Sequence, residues 1–400
     1  MANKPNIRFG GFTEKWKEAP LGQLVKEHRV SNQLVHHQNL LSLSYGKIVR
    51  RDIRANKGLL PASFDTYQII DKDTIVFRVT DLQNDKKSLR VAISEEEGII
   101  SPAYVCVDTN SDEISASFLH QILHYHDVIT KLYYKMGDGL RQTLNYGDLK
   151  CIKILYPKPN EQKAIAEVFR LLNSTITQRE KELEKLKNIK RALLEKLFPQ
   201  NGEKVPALRF KEFTEEWGEV AFGTVIRENK EVSEVENEDT LLSSAIEGMF
   251  LNSELFDHQR GQSNKGYRKI KKGMLILSAQ NLHLGNANVN LRFEHGLVSP
   301  AYKTYDIIGN DAFYMAAWVK REETKKFFDS ATTVGASLCR KNINWDDLYA
   351  QKLKQPSIRE QEKLGKFIFK INQLIALHEK QISLMKNTKK VFLEQMFVNE

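Results

Sequence analysis

Basic and amide side chains are concentrated in one stretch of each half of the chain. Residues 47–57 carry five positive charges against one acid, and residues 260–272 carry six positive charges and no acid. Arginine and lysine bind phosphate oxygens or guanine, while asparagine and glutamine can pair with adenine through two hydrogen bonds. One basic run is more often a solvated face. The presence of two runs, one before Tyr67 and one around Tyr267, makes contact with nucleic acid and a solvated face equal alternatives.

Two further matched stretches add candidates. Residues 78–84 and 278–283 follow the same predicted strand in each half, and their polar side chains differ around a shared leucine, as expected of two loops that read different sequences. A solvent-exposed loop with a buried leucine is an equal alternative. Later in each half, Arg141 and Arg340 correspond and are candidates for shared backbone contacts. The predicted DNA-binding residues are Lys47, Arg50, Arg51, Arg54, Lys57, Arg78, Gln83, Asn84, Arg141, Arg260, Gln262, Asn264, Lys265, Arg268, Gln280, Asn281, His283, Arg340 and Lys341.

The sequence contains no complete motif of a DNA-modifying enzyme. The sequence Ser-Pro-Ala-Tyr at 101–104 and 299–302 looks like the loop with which adenine methyltransferases grip their target. Alanine stands where a second proline is needed, and no glycine-rich cofactor loop lies upstream, so we interpret both copies as tight turns. The sequence also lacks a P-loop motif, so the chain is not expected to drive ATP-dependent translocation.

Metal-ligating residues give only a weak signal. His120 and His124 stand four residues apart on a predicted helix, a spacing that can chelate a metal, but the second half has no equivalent pair. We therefore predict histidines on a helix flank and no metal site. The three cysteines are isolated, which argues against a disulfide framework.

Composition describes an ordinary globular chain with a mild basic excess. The 400 residues are 41% hydrophobic and 28% charged, with a net charge of +9, which is compatible with nucleic acid but does not establish it. No apolar run approaches the roughly 20 residues of a membrane span. The first residues have no apolar signal region, so we expect a cytoplasmic location and no membrane partner.

The chain repeats itself once. Residues 5–27 align with residues 206–228 without gaps, with 10 of 23 positions identical, and the Ser-Pro-Ala-Tyr element and a long terminal stretch recur in the same order. Two equal halves can build a pseudo-twofold object, the geometry with which a homodimer addresses two DNA half-sites. Between these anchors the halves diverge, which indicates one architecture with two different surfaces.

A long helix is predicted at the end of each half. Residues 161–198 follow Asn160, a natural N-cap, and their apolar positions step by three and four as a heptad seam. The second copy has the same seam, with polar interruptions at His378 and Lys389 that match Arg179 and Lys190. Matched seams most simply pair with each other, and helices of about 57 Å would make a rigid spacer. An ordinary amphipathic helix packed on a core is the alternative.

The regions before each long helix predict mixed α+β structure. Strand-like runs at 74–79 and 274–277 alternate with helix-like runs at 114–131 and 312–328. We expect an α+β fold with two pseudo-twofold-related domains separated by two long helices that form an antiparallel coiled coil. The predicted boundaries are 1–157 for the first domain, 158–200 for the first helix, 201–355 for the second domain and 356–400 for the second helix.

The duplicated motifs resemble the specificity subunit of type I restriction-modification enzymes over essentially the whole chain. Each half carries a Phe-Thr-Glu-x-Trp entry, the Ser-Pro-Ala-Tyr element and a Pro-x-x-x-Glu-Gln opening of the long helix. The resemblance implies two target-recognition domains that each read one half of a bipartite DNA sequence. The second copy lacks an equivalent of Pro159, a departure confined to the helix entry.

The resemblance also implies partners. Double-stranded DNA and two methyltransferase subunits would bind this chain, and two restriction and translocation subunits can join them. No cofactor is expected in the chain itself: S-adenosylmethionine belongs to the methyltransferase partner, and ATP and Mg²⁺ belong to the restriction partner. The chain would then be non-catalytic. The alternatives are a stand-alone adenine methyltransferase or nuclease with unrecognised motifs, and a coiled-coil adaptor with no DNA role.

Overall fold

The chain forms two compact units in a computed structural model. Unit 1 contains residues 1–179 and 381–400, and unit 2 contains residues 180–380, so the division falls within both long helices. The structure describes residues 4–33, 39–52, 61, 63–80, 89–110, 112–136, 143–200, 202–256, 263–337 and 340–398. Among these residues, no helix combines the length and the apolar character that a membrane crossing requires.

The mixed domain of unit 1 is built from short strands and helices. Its described strands are β1 (Lys17–Pro20), β2 (Val25–Glu27), β3 (Val30–Ser31), β4 (Leu41–Ser44), β5 (Lys47–Arg50), β6 (Gln68–Ile70), β7 (Ile75–Arg78), β8 (Val91–Ile93), β9 (Gly98–Ile100), β10 (Tyr104–Thr109) and β11 (Lys153–Tyr156). Its described helices are α1 (Leu21–Leu24), α2 (Ala116–Tyr125) with a π-helical extension (His126–Thr130), α3 (Leu132–Met136) and α4 (Tyr146–Lys150), followed by the long α5 (Pro159–Lys196).

The mixed domain of unit 2 follows the same order. Its described strands are β12 (Gly218–Ala221), β13 (Ile226–Asn229), β14 (Leu242–Ala245), β15 (Gly248–Leu251), β16 (Arg268–Lys271), β17 (Leu275–Ser278), β18 (Ala287–Val289), β19 (His295–Val298), β20 (Tyr302–Ile307), β21 (Thr332–Ser337), β22 (Arg340–Ile343) and β23 (Lys352–Gln355). Its described helices are α6 (Asn252–Leu255), α7 (Ala312–Trp318), α8 (Glu322–Ser330) and α9 (Trp345–Ala350), with 3₁₀ turns at Phe222–Thr224 and Leu282–Leu284, followed by the long α10 (Ile358–Gln395).

The sequence repeat is a structural repeat. The central sheet of unit 1 has the strand order β2-β10-β7-β8, and the central sheet of unit 2 has the equivalent order β13-β20-β17-β18. A hairpin, β4–β5 or β14–β15, accompanies each sheet. The buried strands are rich in Val, Ile, Leu and Phe, which pack well on a pleated surface. The predicted α+β class is therefore confirmed.

Each mixed domain begins and ends at one place. In unit 1, β1 pairs antiparallel with β11, so that Lys17 lies opposite Tyr156. In unit 2, β12 pairs with β23 in the same way, and Gly218 lies opposite Gln355. Residues 17–156 and 218–355 are therefore inserts whose two ends are neighbours in a two-stranded ladder.

The first long helix starts slightly earlier than the sequence suggests. It begins at Pro159, and the amides of Glu161 and Gln162 both donate to the carbonyl oxygen of Lys158, at 3.0 and 3.2 Å. Proline suits the first helical position because its fixed φ is helical and its missing N–H would be unsatisfied there. The prediction that Asn160 is the N-cap was therefore wrong by two residues.

The predicted seams are buried or half-buried along both long helices. In unit 1, Phe169 of α5 stacks on Phe397 just beyond the end of α10, with ring centroids 5.9 Å apart. In unit 2, the ammonium of Lys187 on α5 lies 2.7 Å from the carboxylate of Glu379 on α10. The start of α5 thus meets the end of α10 in unit 1, and the later part of α5 meets the middle of α10 in unit 2, so the helices pair antiparallel.

A buried ion pair fastens each entry segment to a long helix. Arg8 donates two hydrogen bonds of 2.6 Å to Glu161, and Arg209 donates bonds of 2.8 and 2.7 Å to Glu360. The Glu161 side chain is 2% exposed. Removal of one partner leaves the other charge desolvated and uncompensated.

Glu161→Gln is therefore expected to lower the free energy of unfolding of unit 1 by about 3 kcal/mol. The matched control is Glu14→Gln, because the pair of Glu14 with Lys158 is largely exposed and worth no more than about 1 kcal/mol. Hydrogen exchange in increasing urea, resolved to peptides of each unit, measures both. Equal losses in the two variants would contradict the assigned role of the buried pair.

Candidate nucleic-acid interface

The Ser-Pro-Ala-Tyr element forms the same tight turn in both units. The amide of Tyr104 donates to the carbonyl oxygen of Ser101 at 3.1 Å, and the amide of Tyr302 donates to that of Ser299 at 3.0 Å. The turn joins β9 to β10 in unit 1 and β19 to β20 in unit 2. The predicted turn is therefore confirmed in both units.

A hairpin holds a corresponding residue near each turn. After β5, the amide of Arg51 donates to the carbonyl oxygen of Leu40 at 2.8 Å. After β15, the amide of Asn252 donates to that of Leu241 at 2.9 Å. The shared backbone bond makes Arg51 and Asn252 structural equivalents, so the frame is constant while its polar side chain changes.

A polar cavity of about 340 Å³ opens beside the turn of unit 1. Arg78, at the end of β7, lies directly opposite Tyr104 in the sheet and lines this cavity. Arg51 also lines it, so the structure brings together residues from two of the predicted stretches. Other lining residues are Ser42, Ser44, Tyr45, Thr80, Ser101 and Ala103.

Polar side chains hold the backbone of residues that line the cavity. Gln68 on β6 donates to the carbonyl oxygens of Ser101 and Tyr104, at 3.2 and 2.9 Å, which fixes the turn. The fully buried Arg90 guanidinium donates to the carbonyl oxygen of Thr80 at 2.7 Å. The Asp127 carboxylate accepts the amide of Arg90 and, at 3.1 Å, that of Val91. Burial raises the pKa of Asp127 to about 6, although the two amides oppose this rise.

The equivalent place in unit 2 has different chemistry. Ser278 lies opposite Tyr302, where unit 1 has Arg78 opposite Tyr104, and Ser278 is only 6% exposed. The ammonium of Lys320 donates to the carbonyl oxygens of Ile246 and Ala287, at 2.8 and 2.9 Å, and to Asn288 Oδ1 at 2.6 Å. This network ties the turn of the β14–β15 hairpin to β18 in unit 2.

Lys320 should make the stability of unit 2 depend on pH. Burial lowers the pKa of Lys320 from 10.5 to about 8. Between these pH values the unfolded chain binds more protons than the folded one, so stability rises with pH in this window. Below about pH 8, Lys320 is protonated in both states and adds no pH dependence. Lys320→Gln is expected to lack the rise, and Lys326→Gln, at an exposed position on α8, is expected to keep it. Urea titration followed by hydrogen exchange between pH 7 and 10 measures the difference, and equal pH dependence in both variants would contradict it.

Other predicted contact residues have varied surroundings. Lys47, Lys265, Gln280 and Asn281 are exposed, whereas Arg268 and His283 are half-buried. Arg50 forms an ion pair with Glu96, and its Nε lies 2.9 and 2.8 Å from the two carboxylate oxygens. Asn264 is 2% exposed and exchanges hydrogen bonds of 2.8 and 2.9 Å with Asn237. Contact of any of these residues with DNA stays a prediction.

The structure describes only some of the remaining predicted contact residues. Arg268 in β16 is equivalent to Gln68 in β6, because each is paired with the residue directly before the Ser-Pro-Ala-Tyr turn. Arg340 and Lys341 lie in β22. The residues that fall outside the described part of the chain are Arg54, Lys57, Gln83, Asn84, Arg141, Arg260 and Gln262.

Sequence reasoning missed the residues that complete the cavity of unit 1. Tyr45 is 70% exposed at the tip of the β4–β5 hairpin, and both Tyr45 and Gly46 have positive φ, at 48° and 73°. A two-residue loop with positive φ at both positions matches the twist of the strands it connects. The Tyr-Gly pair between two short apolar runs was the available signal for this exposed aromatic ring.

The two histidines on α2 lie against each other. Their rings stack with centroids 5.9 Å apart, and burial together with the Lys389 ammonium lowers the pKa of His120 to about 4. The same causes lower the pKa of His124. Among the described residues, no three His, Cys, Asp or Glu side chains lie together as a metal-binding group.

No family model matches the chain, but solved structures of known proteins have the same fold. The S subunit of a type I restriction-modification system from M. genitalium aligns with a TM-score of 0.61 and 14% identity, covering 99% of this chain and 100% of the other. A chain from a structure on complex assembly and conformational transition of the type I restriction-modification system aligns with a TM-score of 0.50 and 16% identity, over 96% and 97%. The chain has the fold of these proteins.

Proposed function

We propose, from the fold it shares with the S subunit of a type I restriction-modification system, that this chain is a DNA-recognition subunit. It reads a bipartite target, one half with each unit, and has no catalytic activity of its own. The observation that carries the proposal is the repeated frame. The same turn and hairpin are built twice, and equivalent positions carry Arg51 and Arg78 in one unit and Asn252 and Ser278 in the other.

Different side chains on one frame are what two readers of different base sequences require. Arginine contacts guanine or phosphate, and asparagine and glutamine suit adenine. Unit 2 also presents the exposed amides of Gln280 and Asn281 just after β17. An isolated binding module would need one such surface, so the duplication favours a target with two different halves separated by an unspecified spacer.

Catalysis would come from partners that dock on this chain. Two methyltransferase subunits would supply S-adenosylmethionine and flip the target adenine into their own pockets, since a duplex hides its amino group. Restriction and translocation subunits would supply ATP and Mg²⁺ chemistry. Because the proposed complex acts on DNA, we expect this chain to be located in the cytoplasm.

The long helix α10 offers a surface for such docking. Leu377, Leu384 and Val391 follow one another at intervals of seven residues, and their side chains are 50, 66 and 47% exposed. Residues seven apart share one face of a helix. Large apolar side chains in a row on an exposed face are typical of a surface that a partner helix covers.

The proposal is tested by expression of this chain, alone and with the methyltransferase subunit encoded in the same genome, in a host without adenine methylation. Sequencing of modified bases is expected to reveal one bipartite motif with the pair of subunits and none with either subunit alone. Binding of S-adenosylmethionine by the purified chain, or DNA methylation by it, would instead support a stand-alone enzyme. A co-expressed pair that methylates without sequence preference would refute the recognition role.

A further inference from the structure

The cavity of unit 1 and the different side chains at the equivalent place in unit 2 point to more than a general affinity for DNA. We infer that unit 1 reads a guanine through Arg78, with Arg51 on an adjacent phosphate, and that unit 2 has no such reader at the equivalent position. This inference rests on the proposed function, because it assigns a base to one of its two readers.

Arg78 has the placement that base readout requires. It is the last residue of β7, an interior strand of the central sheet, and its backbone lies opposite Tyr104 beside the turn that Gln68 fixes. Its side chain is half-buried against this frame. Recognition of a base edge needs such fixed geometry, and arginine to guanine O6 and N7 is the commonest specific contact.

Arg51 has the placement that suits a phosphate. It lies beyond the last residue of β5, and it is exposed at the rim of the same cavity. Phosphate contacts tolerate a mobile side chain and position the protein without selecting a base. The exposed ring of Tyr45 stands at the same rim and can pack against the sugar–phosphate backbone.

Unit 2 has no arginine at the two positions equivalent to Arg78 and Arg51. Ser278 replaces Arg78 in the register, and its short side chain is almost completely buried. Asn252 replaces Arg51 and starts α6. The Lys320 ammonium is held by three oxygens, those of Ile246, Ala287 and Asn288, so this cation is engaged in the fold.

The test uses the complex of this chain with its methyltransferase subunit and duplexes that carry the mapped target. The half-site of unit 1 is the one that is lost when residues 17–156 are replaced. Arg78→Lys keeps the charge but cannot form two parallel hydrogen bonds. We expect it to reduce the preference for guanine at one position of that half-site by about 10- to 100-fold, and Arg78→Ala to do the same.

Two matched variants separate base from phosphate contacts. Arg51→Ala is expected to weaken binding to all sequences alike and to reduce the salt dependence by about one charge. Arg50→Ala, which removes an exposed arginine of β5 that is not among the residues lining the cavity, is expected to change the guanine preference little. Retained preference for the half-site of unit 2 shows that each variant complex is assembled.

Three results would overturn the inference. They are a unit 1 half-site without guanine, an Arg78→Lys complex with unchanged preference, and Arg78 variants that lose affinity equally for all sequences, as a phosphate contact would. A wild-type complex without any sequence preference would instead refute the proposed function, so the two failures are distinguishable.

Discussion

A chain in which residues 218–355 replace residues 17–156 is expected to recognise two copies of the unit 2 half-site and to lose the unit 1 half-site entirely. The reciprocal chain, with residues 17–156 in both places, is expected to recognise two copies of the unit 1 half-site. The physical reason is that each insert carries its own turn, hairpin and polar side chains, while the long helices and entry segments lie outside it.

The ends of the inserts are compatible with exchange. Each insert begins and ends on paired strands, with Lys17 opposite Tyr156 in one unit and Gly218 opposite Gln355 in the other. The two ends of a grafted insert can therefore pair with each other in one short ladder, and no linker between them has to be stretched. Substitution of a segment whose two ends are neighbours changes little in the connections that remain.

Contacts between insert and helix are also equivalent. Gln162 of α5 accepts from the amide of Ser115 at 3.0 Å, and Gln361 of α10 accepts from the amide of Asp311 at 3.0 Å. The acceptor side chain is the same in both units, and the donor is a backbone amide. Each insert should therefore find its hydrogen-bond acceptor on the other helix.

The aromatic contacts differ in one respect that the graft must accommodate. Trp16 packs edge to face on Phe118 in unit 1, and Trp217 packs likewise on Tyr314 in unit 2. Arg321 of the second insert lies 4.5 Å from the ring centre of Phe198, and its Nε donates to a carbonyl oxygen of α5. In the graft, Phe397 and the equivalent carbonyl of α10 would have to take these roles.

Modified-base sequencing of the co-expressed chimaeras reads the result directly. The wild-type chain with the same partner is the control for expression and assembly. A chimaera that still methylates the wild-type target would show that base reading resides outside the inserts. A motif in which both halves differ from the two wild-type halves would show that the inserts are not independent readers.

Much of the fold could be predicted because its patterns are local and repeated. The heptad seam placed the first long helix to within two residues at each end, since an apolar stripe and a proline are enough to define such a helix. The predicted helix at 312–328 is instead two helices, α7 and α8. Its break at residues 319–321 frees Arg321 to bind the end of α5, a tertiary contact that no local pattern contains.

The candidate site was predictable only as a set of stretches. The sequence marked Arg51 and Arg78 within two separate runs, but only the pairing of β7 with β10 and the hairpin beside it bring them to one cavity. Asn264 and Lys265 were equal candidates for DNA contact from the sequence, although Asn264 is buried in a loop and Lys265 is exposed. Composition reports which residues can bind DNA, and tertiary structure decides which of them face outward.

Insertion of four residues after Arg179 in α5 and four after Lys380 in α10 is expected to keep both half-sites and to lengthen the unspecified spacer by about two base pairs. Four residues add about 6 Å to each helix and make slightly more than one turn, so the seams continue on nearly the same face. DNA rises about 3.4 Å per base pair. Because both helices lengthen equally, Phe169 keeps Phe397 and Lys187 keeps Glu379.

Two control insertions isolate the role of helix length. One residue in each helix rotates everything beyond it by about 100° and moves the apolar stripe off the seam, so activity should be lost. Four residues in α5 alone would force α10 to give up either its contact with Phe169 or its contact with Lys187, and should destabilise the chain. The motif of each variant is measured by modified-base sequencing after co-expression. An unchanged spacer in an active variant with both four-residue insertions would mean that the helices do not set the separation of the half-sites.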